Sequence, residues 1–249
     1  MLAVFQEYVA KSPEALQIPH SNSVSALEDG FLAQHFSSVH PGSVIVNLGS
    51  SGLLAYSLDK QNPLLPRLFA VVDNIFCLFQ GHLENVANLK QQYGLNKTAN
   101  EGTIIIEAYR TLRDRGPYPA AQVVRDFQGK FAFILYDCGS ETAFVAANDR
   151  GIPFVWGTDA DGNLVFSDEK EIVTKSCGKS SAPFPEGFFF TTSGGLSSFE
   201  HPLNGVRSIP RYDENGNEVG ANFLVDFEVK KETTGMPRVG SAANWSNNI

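Results

Sequence analysis

Between Gly129 and Asp168 four short apolar runs follow one another with little but turn residues between them: KFAFILYD, TAFVAAND, IPFVWGT and NLVFSD. Runs of this length, rich in Phe, Val, Ile and Ala and separated by Asp, Gly, Ser or Glu, are the pattern of consecutive antiparallel strands. The turns fall at Cys138-Gly139-Ser140-Glu141 and Asp159-Ala160-Asp161-Gly162. Such a series has to fold into a sheet with at least one buried face, so a helical bundle is excluded.

Upstream, VIVNLG, GLLAYSL, RLFAVVDN and IFCLFQG repeat the strand pattern between Pro41 and Gly81. Two helices then interrupt it. HLENVANLKQQYG places Leu83, Val86, Ala87 and Leu89 on a broad face, and EGTIIIEAYRTLRDRG does the same with Ile104, Ile105, Ala108 and Leu112. Both stop at a glycine, Gly94 and Gly116, where a helix C-terminus favours a residue tolerant of positive φ. A shorter helix is predicted over Ala120 to Phe127. An earlier one carries Ala26, Leu27, Phe31, Leu32, His35 and Phe36 on one face. After Asp168 come a helical piece (DEKEIVTKSC), the run GFFFTT, a turn at Ser193-Gly194-Gly195 and a last hairpin across Asp213–Gly216. Periodicity and apolar content then fade. The expected organisation is one domain over residues 1–228, with antiparallel sheets covered by helices, and a disordered tail over 229–249.

Composition narrows the function classes. The 249 residues carry a formal charge of −8, the wrong sign for a protein that grips nucleic acid or anionic lipid. No run reaches membrane-spanning length; LLPRLFAVVDNIFCLF is broken by Arg67 and Asp73. The start, MLAVFQEYVAKSPEA, lacks the form of a secretory leader. Three scattered cysteines, Cys77, Cys138 and Cys177, form neither a disulfide framework nor a zinc knuckle. The expected location is the cytoplasm, with the nucleus as a second compartment.

Little else carries chemistry by itself. TTSGGLSSF is similar to a phosphate-cradling loop, but no helix follows it, so a β-turn is the better reading. The histidines His20, His35, His40, His82 and His201 show no metal-ligand spacing, and no GxSxG elbow anchors a catalytic serine. Neither a metal nor a cofactor is expected. Arg238 stands three residues before Ser241 in the predicted tail, which makes Ser241 a candidate phosphorylation site.

Five blocks in one order carry a wider resemblance: FQGHLENVANLKQQYG, ANEGTIIIEAYRTLRDRG, DFQGKFAFILYD, NDRGIPFVWGTDADGNLVFSDEKEIV and FPEGFFF. They resemble the glutaminase domain of class II glutamine amidotransferases, nearest to asparagine synthetase, over most of residues 1–200. With Tyr93-Gly94-Leu95 and Leu112-Arg113-Asp114-Arg115 as YGL and LRDR motifs, the chain is similar to the plant aluminium-induced, stem-specific proteins. The resemblance implies an α+β fold, the four-layer αββα sandwich of N-terminal-nucleophile hydrolases.

The resemblance also implies a site. That family's nucleophile is a cysteine at the mature N-terminus, which attacks the glutamine amide while its own amine relays the proton. Leu2 stands in its place here, and a leucine second residue predicts that Met1 is retained. The family's Asn-Gly-Glu turn corresponds to Gln80, Gly81 and His82; Gln80 is one methylene longer than the usual asparagine. The arginine that grips the substrate carboxylate is missing from the preceding strands, where Lys60 is the only basic residue between Pro41 and Pro66. Glu101 matches the acid that holds the substrate amine. The vestigial pocket is therefore predicted at Leu2, Gln80, Gly81, His82 and Glu101, with no catalytic residue.

The functional expectation is a non-catalytic amidotransferase-like protein with a regulatory or ligand- or partner-binding role in plant stress or hormone response. A small amine-bearing ligand, facing Glu101, and a homodimer are the expected partners. Two alternatives stay open: a hydrolase that uses Glu101 and His82 as an acid/base pair, and a structural subunit that only self-associates.

Overall fold

The computed structural model describes residues 1–17, 30–59, 61–114, 120–148, 151–200, 205–212 and 214–226. Two six-stranded antiparallel sheets lie face to face. Their strands are β1 (Leu2–Phe5), β2 (Val44–Asn47), β3 (Gly52–Tyr56), β4 (Arg67–Val72), β5 (Ile75–Leu83), β6 (Gly129–Asp137), β7 (Thr142–Ala147), β8 (Val155–Thr158), β9 (Leu164–Ser167), β10 (Ala182–Pro183), β11 (Phe188–Thr191) and β12 (Gly195–Ser198). The first sheet runs β10-β8-β9-β1-β3-β2 and the second β12-β11-β7-β6-β5-β4. A separate hairpin, β13 (Gly205–Tyr212) with β14 (Glu218–Asp226), adds a two-stranded sheet.

Alternation along the strands sorts the side chains into three layers. Ala3, Phe5, Leu78, Ile134, Tyr136, Val145, Trp156, Phe166, Phe188 and Phe190 fill the space between the sheets. Their neighbours in sequence face outward. On the second sheet Cys77, Phe79, Phe131, Phe133 and Leu135 meet Ile104, Ile105 and Ala108 of α3 (Glu101–Asp114) and Leu89 of α2 (Val86–Gln92). Val123 and Val124 of α4 (Ala120–Arg125) join them. On the first sheet Leu2, Val4, Ala55 and Val165 lie under Leu32 and Phe36 of α1 (Phe31–Val39) and Ile172, Val173 and Cys177 of α5 (Lys170–Cys177). Helix, sheet, sheet, helix is the four-layer αββα order expected from the sequence.

Two elements differ from the expected ones. β1 is a strand at the centre of the first sheet, paired with β3 and β9 at once. Its run LAVF is buried on both faces, so it shows no polar alternation. The helix expected from His82 starts only at Val86, because His82 and Leu83 continue β5 against Lys130 and Gly129 of β6. The expected tail 229–249, with Ser241, lies outside the described residues, as does Gly116.

Candidate functional site

β1 and β9 of the first sheet and β4 and β5 of the second converge at one end of the sandwich. Arg67 opens β4 and is paired in register with Gln80 of β5, so the two side chains stand together on the face toward the first sheet. Across the gap Asp168 follows β9. The Arg67 Nε donates to Asp168 Oδ2 at 2.5 Å, and the Met1 amine donates to Oδ1 of the same carboxylate at 2.5 Å. Asp168 is buried, with a fully covered side chain.

The cluster extends sideways through Glu169, where Oε1 accepts from Arg67 Nη2 at 3.3 Å and lies 2.6 Å from Nε2 of His40. Arg67 Nη1 reaches the carbonyl of Asp59 at 3.2 Å, while its backbone amide donates to the side-chain oxygen of Gln61 at 3.0 Å. Ser167 ties the same end together by donating its hydroxyl to the Met1 carbonyl at 2.8 Å. Burial pushes the Met1 amine below its ordinary value, against the opposing pull of Asp168.

Arg67 and the Met1 amine thus engage the Asp168 carboxylate inside the fold, with Glu169 on the outer side of Arg67. An anionic ligand aimed at Arg67 would have to displace Asp168, and an amine aimed at Asp168 would have to displace Arg67 or the Met1 amine. Two polar atoms remain without a hydrogen-bond partner, Oε1 of Gln80 and Nδ1 of His40, both buried. Gln80 is therefore aimed into this end but takes no part in its ion pairs.

The predicted site residues fall in different layers. Gln80 faces the ion-pair cluster, and His82 shares its side of β5 at the strand's end. Gly81 between them has φ +113°, and a Cβ there would overlap the Lys130 carbonyl oxygen, so a glycine is required. Leu2 points the other way, into the apolar layer with Phe36, Ile172 and Cys177. The inter-sheet position at the head of β1 belongs to Met1. Glu101 opens α3 in the helix layer outside the second sheet, where the amides of a helix start favour a carboxylate. Its neighbour Gly102 packs against the Ala70 side chain. The structure does not bring Leu2, Gln80 and Glu101 to one amino-acid-sized cleft.

The strands between Pro41 and Pro66 hold no arginine, and the guanidinium at this end comes from Arg67 at the head of β4. Asp168, Glu169 and His40 gave no sequence signal, since their contacts span 101 to 167 residues for Asp168, 102 and 129 for Glu169.

The cysteines are poor nucleophiles. Burial pushes the Cys77 and Cys177 thiols far up, and burial together with the neighbouring Asp137 charge raises Cys138. Among the described residues no group of three His, Cys, Asp or Glu side chains gathers as metal ligands. Ser193 and Gly194 form the turn between β11 and β12, with no helix behind them; Ser193 and Gly195 border a cleft of about 430 Å³ that Lys11, Leu196 and Phe223 also line. No described helix is long and apolar enough to cross a membrane.

Both short motifs are structural. In YGL, Gly94 takes φ +65° to end α2, and the Leu95 amide donates back to the Lys90 carbonyl at 2.8 Å. In LRDR, Arg113 donates to the buried Asp137 carboxylate at the end of β6, at 3.0 Å, beside the hydroxyl of Tyr109 at 2.9 Å.

Residues 2–225 match the family described as Aluminium induced protein. The chain belongs to that family. A relative within reach of direct alignment is the stem-specific protein TSJT1 of Nicotiana tabacum, 39% identical over 148 residues, which are 59% of this chain and 99% of the tobacco protein. Asparagine synthetase B of Escherichia coli (strain K12) is 27% identical over 49% of this chain, and asparagine synthetase 2 of Oryza sativa subsp. japonica is 28% identical over 77%. The matched parts make up only 21% and 29% of those synthetases. Among solved structures, the glutamine phosphoribosylpyrophosphate amidotransferase of B. subtilis superposes on 62% of this Aluminium induced protein family member and 36% of its own chain, with 16% identity and a TM-score of 0.43.

Proposed function

We propose that the chain is a non-catalytic amidotransferase-like protein, in which the end of the sandwich that would carry glutaminase chemistry serves as a structural lock. The observation that carries this reading is Asp168 held between Arg67 and the Met1 amine. The guanidinium at this end is engaged by an internal carboxylate, and the inter-sheet position at the head of β1 holds the apolar side chain of Met1. The three thiols are all raised, so none offers a thiolate at neutral pH.

A regulatory or partner-binding role in plant stress response is the functional setting we propose, supported by the family's description and by the stem-specific relative. Ammonia release from glutamine tests the core of the reading. The wild-type protein should release none above a heat-killed control. Leu2→Cys should do no better, because that side chain lies under α1 and α5 rather than beside Gln80. Turnover by either protein would overturn the proposal.

A further inference from the structure

β2 is an edge strand, and no described strand lies beyond it. Natural edges are blunted by charge, proline or a bulge, because their free N–H and C=O groups invite another strand. β2 has none of these. Its sequence is VIVN, its register with β3 is unbroken from Val44↔Tyr56 to Asn47↔Leu53, and not one charged side chain stands between His40 and Asp59. In a chain of net charge −8 the strand itself carries no charge, and the nearest carboxylate, Asp59, accepts from the Gly42 amide at 3.3 Å just before the strand.

The hydrogen-bond phase is fixed. The Leu48 amide donates to the Gly52 carbonyl at 2.9 Å, so Leu48, Val46 and Val44 bond to β3, while Ile45 and Asn47 turn their backbone groups outward. Val46 and Leu48 lean on the inter-sheet core, and Val44 lies on their face of the strand, 52% exposed. Leu58 and Leu64 of the loop from β3 to β4 and Val71 of β4 are exposed as well. Tyr56 of β3 stacks on Phe69 of β4 across the two sheets, 5.5 Å between centroids. Half of the ten exposed large apolar side chains among the described residues fall between Val44 and Val71 in the sequence.

We propose that β2 pairs antiparallel with β2 of a second copy, joining the two first sheets across a two-fold axis at Val46. This register lets Ile45 and the partner's Asn47 exchange backbone hydrogen bonds, and the reverse. It sets Val46 against the partner's Val46 and Val44 against the partner's Leu48, apolar on apolar along the face that already borders the core. The pattern is self-complementary, as an isologous interface requires.

Sedimentation of the full chain at increasing concentration tests it, together with amide exchange. A dimer is expected, with the Ile45 and Asn47 amides slowing as it forms. Val44→Lys/Ile45→Lys should weaken association at least about tenfold without changing the circular dichroism, since both side chains are exposed, the charge at 44 replaces an apolar contact with the partner's Leu48, and the two charges at 45 lie diagonally across the axis. In a Cys138→Ser background, Val46→Cys should give a disulfide-linked dimer under mild oxidation, because facing residues of a non-hydrogen-bonded pair lie about 4.5 Å apart at Cα. A monomer at every concentration overturns the proposal. So does a dimer that the lysine pair leaves intact, or protection of Ile45 and Asn47 that does not depend on concentration, which would mean that another segment of the same chain covers the edge.

Discussion

Arg67 and Asp168 join the two sheets: the guanidinium Nε of one and the carboxylate Oδ2 of the other meet at 2.5 Å, between residues 101 positions apart. Arg67 opens a strand of one sheet and Asp168 follows a strand of the other, so their pairing fixes how the sheets sit on one another at this end. Breaking a buried ion pair by removing one partner costs about 3–5 kcal/mol. Asp168→Ala is expected to lower stability by that amount in urea unfolding, and Arg67→Met by less, because Asp168 then keeps the Met1 amine. Equal losses would mean that the amine contributes nothing to the lock.

Asp137 predicts the acid limb of the stability curve. Burial pushes its carboxyl up, but the Gly139 amide, the Arg113 guanidinium and the Tyr109 hydroxyl outweigh burial and hold it below its ordinary value. A carboxyl with a depressed folded pKa contributes stability that is complete above about pH 4 and is lost as pH falls through the lower folded value. Wild-type stability should therefore drop below about pH 4, and Asp137→Asn should start lower at neutral pH and lose less in acid. Parallel acid limbs for the two proteins would show that the network around Asp137 is not what titrates.

Much of this architecture was legible in the sequence. The strands at Phe131–Tyr136 and Ala143–Ala147, and the helix at Glu101–Asp114, announce themselves by local pattern, which is set by residues within a few positions of one another. β1 was not, because burial on both faces erases alternation. The ion-pair cluster was invisible for another reason: Met1, His40, Arg67, Asp168 and Glu169 come together only through tertiary folding, and no spacing rule connects them. The pattern IFCLFQG ends the strand at Gly81 whereas β5 runs on to Leu83, and the resemblance could not show that Leu2 turns its side chain to the helix layer.

The thiols should divide by burial. Cys138 is exposed in the turn after β6, whereas Cys77 and Cys177 are buried in the two helix-facing layers. One thiol is expected to react with an aromatic disulfide reagent in the native protein, and slowly, because Cys138 is itself raised. The other two should react only on unfolding. Cys138→Ser should abolish the native reaction; fast labelling of Cys177 in that variant would show that the layer around Leu2 opens readily.

Two glycines with positive φ separate backbone strain from close contact. Gly94 has φ +65° with no atom within 4 Å of where a Cβ would lie, so Gly94→Ala meets only the left-handed penalty, about 1 kcal/mol. Gly81 has φ +113°, and its Cβ would collide with the Lys130 carbonyl, a backbone atom of β6 that cannot move without shifting the β5–β6 ladder. Strain of about 1–3 kcal/mol then adds to the collision. The Gly81 amide also donates to the Pro66 carbonyl at 3.0 Å, next to Arg67, so a displaced β5 would pull on the start of β4 and with it the Asp168 pair. Gly81→Ala is therefore expected to destabilise the protein by at least about 2 kcal/mol more than Gly94→Ala in urea unfolding. Its loss should be less than additive with that of Asp168→Ala, since both act on the same sheet-to-sheet contact. Full additivity would separate the Gly81 turn from the lock.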